Sequence, residues 1–68
     1  MLVAENYKKE TTIVNDISLV IITYKIGESY HCHIENADPG AVIARAYAKN
    51  LQTAKEVALS KAKKRLGL

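Results

Sequence analysis

Apolar and polar residues alternate with a period of two along most of the first fifty positions, and then the period changes. Three runs rich in β-branched and aromatic residues fall at 17–26, 29–36 and 41–48, each reading as a strand. From Asn50 onward, Leu51, Ala54, Ala58, Ala62 and Leu66 recur at three- and four-residue spacing, with Lys55, Lys63 and Lys64 off that row. This is the pattern of an amphipathic helix over 50–66, with Asn50 as its N-cap and Gly67 as its stop.

Two turn signals separate the strands. Gly27-Glu28 suits a two-residue type II′ hairpin, because glycine tolerates the positive φ at its first central position. Asp38-Pro39-Gly40 is the second, with proline presetting φ and glycine releasing it. The first loop pairs Ile26 with Ser29, Thr23 with Cys32 and Ile21 with Ile34. A three-residue loop at 37–39 then pairs Asn36 with Gly40, Ile34 with Val42 and Cys32 with Ala44. Both turns place Leu19, Ile21, Thr23, Cys32, Ile34, Val42, Ala44, Ala46 and Ala48 on one face, which is nearly all apolar. The predicted architecture is α+β: a three-stranded antiparallel meander over 17–48 with one C-terminal helix packed on one face. Residues 1–16 carry no clear element. Leu2-Val3-Ala4 suit an edge strand or fraying, 11–14 suit an extension of the first strand, and the segment could fold back over the open side of the sheet.

Sixty-eight residues allow a single domain, and 49% hydrophobic content is too high for a disordered tail. No apolar run exceeds four residues, far short of the ~18 that a membrane span needs. One cysteine, Cys32, cannot form an internal disulfide, and the N-terminus turns polar too early for a signal peptide. These features predict a cytoplasmic domain without membrane contact.

Charge divides the chain. Residues 1–38 hold three lysines against six carboxylates, whereas 39–68 hold Arg45, Lys49, Lys55, Lys61, Lys63, Lys64 and Arg65 against Glu56 alone. Such a basic half is either a phosphate-facing side or a solvated face whose last cations complement the helix dipole.

The face of the sheet opposite the helix is predicted to carry Val20, Ile22, Tyr24, His31, His33, Glu35, Ile43, Arg45 and Tyr47. Aliphatics beside Tyr, His and Arg read as a partner interface, for a second copy or another protein. His31-x-His33 points two imidazoles the same way, but a zinc site needs three or four ligands, and Cys32 points into the core. No metal or cofactor is expected. No Ser/His/Asp or Cys/His constellation survives the face assignment, and there is no phosphate loop, C-x-x-C or H-E-x-x-H, so catalysis is not expected.

From Tyr30 to Ala62 the chain resembles the N-terminal domain of HicB-type antitoxins. The residues that carry this are Tyr30, Cys32 and Ile34 on one strand, Pro39-Gly40, and a helix with Asn50 as cap and Ala54 four positions on. The resemblance implies a β-β-β-α unit that dimerises or covers a protein partner. From about Ile22 to Leu66 the chain also resembles double-stranded RNA-binding domains, whose last helix opens with Lys-Lys-x-Ala-Lys. Here that stretch is Leu51-Gln52-Thr53-Ala54-Lys55, and Ala54 and Lys55 match. This second resemblance implies RNA contact at the helix start through Lys55, and the charge of the basic half extends that candidate nucleic-acid set to Arg45, Lys49, Lys55, Lys61, Lys63, Lys64 and Arg65. Two functions are therefore expected as alternatives: protein contact through the open sheet face, or nucleic-acid contact through the basic helix.

Overall fold

The computed structural model describes residues 4–37 and 40–67. Its elements are β1 (Glu5–Val14), β2 (Ile17–Ile26), β3 (Ser29–Asn36), β4 (Val42–Ala48) and α1 (Leu51–Arg65). The strands form one antiparallel sheet in the order β1-β2-β3-β4. The class is α+β as expected, but the sheet has four strands where the sequence predicted three.

The extra strand is β1, ENYKKETTIV, which carries charges at both parities and so lacks an alternating pattern. It joins β2 through Asn15-Asp16, whose φ values of 49° and 66° are both positive. That is the signature of a type I′ hairpin turn, and Asn and Asp tolerate it better than other non-glycine residues. Glu10 faces Ile21 and Thr12 faces Leu19, while the register shifts between Glu5 and Lys8. Asn6, with φ 54°, sits in that bulge. Residues 5–14 thus lie beside β2 in the sheet and do not cover its open side. Leu2 and Val3 lie outside the described residues.

The β2–β3 register is the predicted one, with Ile26 opposite Ser29, Thr23 opposite Cys32 and Ile21 opposite Ile34. Gly27 takes φ 59°, as the two-residue loop requires. The β3–β4 register is displaced by two: Ile34 faces Ala44 and Cys32 faces Ala46. A slip of two preserves the faces, because side chains alternate with that same period. A second irregularity, between Ile34 and Glu35, changes a face as well. Glu35 pairs with Val42, leaving Ile43 as the inserted residue. Ile43 packs against the core and Val42 is exposed, the reverse of the predicted placement. Within the predicted turn, Asp38 and Pro39 lie outside the described residues. At its ends Asn36 N–H donates to the Ala41 carbonyl at 2.9 Å and Gly40 N–H to the Asn36 carbonyl at 2.7 Å.

Helix α1 lies over β3 and β4. Ala54, Ala58 and Ala62 are fully buried, and their small side chains let the helix approach Ala44 and Ala46 on β4. Leu19, Ile34 and Cys32 supply the largest fully buried side chains. The start of the helix is fixed by Asn50, whose side-chain oxygen accepts the Thr53 N–H at 2.7 Å. Asn50→Ala is expected to cost ~1 kcal/mol, read as a lower urea midpoint with an unchanged slope.

Candidate binding face

The sheet surface away from α1 is organised in rows that cross the strands. Tyr47, His31 and Tyr24 form one row, Arg45, His33, Ile22 and Lys9 the next, and Val42, Glu35, Val20 and Thr11 the third. Cross-strand neighbours on one face lie close enough for rings to touch. Tyr24 and His31 stack with centroids 5.3 Å apart, and His31 and Tyr47 stack at 5.7 Å. His33 meets Tyr24 edge-on at 5.2 Å, and the Tyr24 hydroxyl lies 2.7 Å from His33 Nε2. The result is a ring stack that runs from the middle of the sheet to its β4 edge, where Tyr47 is 74% exposed.

Of the nine residues predicted on this face, eight are there: Val20, Ile22, Tyr24, His31, His33, Glu35, Arg45 and Tyr47. Ile43 is not, because the β4 bulge turns it toward the core. The eight are not equally open. Ile22 is only 8% exposed, so it belongs to the fold as much as to any surface. Lys9, Thr11 and Val42 join the face, none of them expected there from the sequence. Lys9 required recognising β1, for which Asn15-Asp16 was the available signal; Val42 required the bulge.

The basic set predicted for nucleic acid is spatially divided. Lys55 reaches Glu10 on β1 at 3.4 Å. Lys61 Nζ donates to the Arg45 carbonyl at 3.2 Å, so the helix flank touches the edge of β4. Lys63, Lys64 and Arg65 are exposed in the last turn, and Lys49 is exposed before the cap. Around the β4 edge a cavity of about 410 Å³ is lined by Tyr24, His31, His33, Arg45, Tyr47 and Lys61 among others. It links the ring stack to two cations, one from the sheet and one from the helix.

Burial lowers the His33 pKa below the ordinary histidine value; the Arg45 charge and, less strongly, His31 act in the same direction against Glu35. Neutral His33 can accept a hydrogen bond from the Tyr24 hydroxyl at Nε2. Because the folded state disfavours the protonated ring, the stabilisation it contributes is complete above the unfolded value near 6.5 and is lost as pH falls through the lower folded value. Between pH 7.5 and 5.5 the wild-type melting temperature is expected to fall more than that of His33→Gln. Equal slopes in circular-dichroism melts would refute this.

Cys32 is fully buried, and burial pushes its thiol pKa up, which keeps it protonated and unreactive. Among the described residues, no three His, Cys, Asp or Glu side chains lie close enough to hold a metal ion. Nor is any described helix long and apolar enough to cross a membrane. No family model matches the chain, and neither a curated protein nor a solved structure shows significant similarity to it.

Proposed function

We propose that this chain is a non-catalytic interaction module that works by surface contact through the outer face of its sheet. The observation that carries the reading is the ring stack Tyr24–His31–Tyr47, which ends in an exposed tyrosine at the β4 edge. Ordered aromatic surface beside a cation is the composition of contact surfaces that anchor a partner. The resemblance to HicB-type antitoxin domains supports contact with a protein, either a second copy or a partner that the module caps. The helix alone is the weaker surface for nucleic acid, since Lys55 already pairs with Glu10 and Lys61 is drawn to the β4 edge.

The two surfaces separate by mutation. Immobilised protein carrying Tyr47→Ser with Arg45→Glu is expected to lose what the wild type retains from source-cell lysate, whether itself, another protein or nucleic acid. A variant with Lys63 and Lys64 both changed to alanine is expected to keep it. Retention that follows the helix variant instead, or shows no dependence on Tyr47, overturns the reading.

A further inference from the structure

We infer that the occupant of this face is a single-stranded nucleic acid, with one unpaired base stacked on Tyr47 and its phosphates on Arg45, Lys61 and Arg65. The inference rests on the outer face being the working surface and names the chemistry that fits it.

The first observation is the open end of the stack. His31 covers one side of the Tyr47 ring at 5.7 Å, and no described ring covers the other. A planar base placed there would extend an existing stack, and every base has a π-face to offer. Bases inside a duplex have both faces occupied, so an unpaired base is the form that fits.

The second observation is charge. Arg45 is exposed next to Tyr47, and Lys61 is held against the same edge by its bond to the Arg45 carbonyl. Arg65 lies farther along, beside Val42 and Arg45. These cations come from β4 and α1, the basic half of the chain, and follow the edge at which the stack ends. A backbone passing along the edge would meet them in turn.

The third observation weighs against the other occupant. The middle row of the face holds Arg45 at one end and Lys9 at the other, and Glu35 is the one carboxylate in the three rows. Two copies stacked face to face on a twofold axis along the strands would set Arg45 over Lys9. An axis along the rows would set Arg45 over Arg45. Like charges meet either way, which disfavours a self-complementary dimer. An anionic strand meets no such conflict.

The test is fluorescence anisotropy with a labelled 12-nucleotide oligouridylate, a single-stranded DNA of equal length and a blunt 12-base-pair RNA duplex, across a salt series. Both single strands are expected to bind more tightly than the duplex. Tyr47→Ser should weaken binding about tenfold or more while leaving the salt slope unchanged. Arg45→Ala and Lys61→Ala should each lower the slope by ~0.7, the contribution of one phosphate on a single strand. No binding at 50 mM salt, preference for the duplex, or indifference to Tyr47→Ser overturns the inference. Sedimentation velocity on the same samples separates the two failures. A Tyr47-dependent oligomer without nucleic-acid binding would leave the face as the working surface and make a second copy its occupant. A chain that neither binds the strands nor assembles or captures ligand through Tyr47 would remove the face as well.

Discussion

Leu19→Ala is expected to lower the melting temperature by about 10 °C or more and to leave a protein close to unfolding at ambient temperature. Leu19 is fully buried, and with Ile21 and Ile34 it supplies the large side chains of a core otherwise made of Cys32 and alanines from β4 and α1. Removing its isobutyl group opens a void that small neighbours cannot refill, at a cost of ~2–5 kcal/mol. A chain of this length has a total stability of roughly 3–10 kcal/mol, so that loss is a large share of the whole. Thermal and urea melts followed by circular dichroism measure it. A fall below about 4 °C would mean that helix and sheet are not held together around this side chain. Ala44 and Ala46 make the contrasting point, since the helix comes close there because those side chains are small.

The parts of this fold that the sequence made legible are those where a local signal had one solution. Gly27 in a two-residue loop determined the β2–β3 register, and the alternation on both strands agreed with it. Asn50 marked the helix start because its oxygen satisfies an N–H that would otherwise lack a partner. The β3–β4 register was less determined. Alternation cannot tell a pairing from one displaced by two residues, and a bulge hides completely in an apolar run such as 41–44. That bulge moved Ile43 inward and Val42 outward, altering the membership of the candidate face. Strand β1 was obscured for a different reason. As an edge strand it has no need of an apolar face, and charges such as Lys8, Lys9 and Glu10 blunt pairing with other chains. The ring stack itself was only partly visible: its members were correctly placed on one face, but their contacts depend on cross-strand pairing and rotamers that periodicity does not encode.

The same face should respond in opposite ways to one substitution made at two positions. Ile22→Asp is expected to abolish cooperative unfolding at neutral pH, whereas Tyr47→Asp should melt within about 0.5 kcal/mol of the wild type. Both residues lie on the outer face, one row apart, yet Ile22 is 8% exposed and Tyr47 is 74% exposed. Ile22 sits between Lys9 and His33 across the strands and between Val20 and Tyr24 along its own face. A carboxylate introduced there loses most of its water, a cost of several kcal/mol unless a neighbour pairs with it fully. Burial would raise the introduced carboxyl's pKa above that of the unfolded chain. The Ile22→Asp variant should therefore regain stability as pH falls toward that raised value, opposite to the trend expected from His33. Melts at pH 7.5 and 5.5 distinguish the two, and a cooperative, pH-independent transition for Ile22→Asp would show that the row is open to water. Assembly lost in the Ile22→Asp variant would consequently report unfolding, while ligand lost in the Tyr47→Asp variant would report the surface. The division follows from position in the sheet: a central strand covers its outer side chains with neighbours on both sides, and an edge strand covers them on one. The β4 edge is therefore where the proposed recognition can be tested, because Tyr47 and Arg45 can change there without altering the stability on which the rest of the face depends.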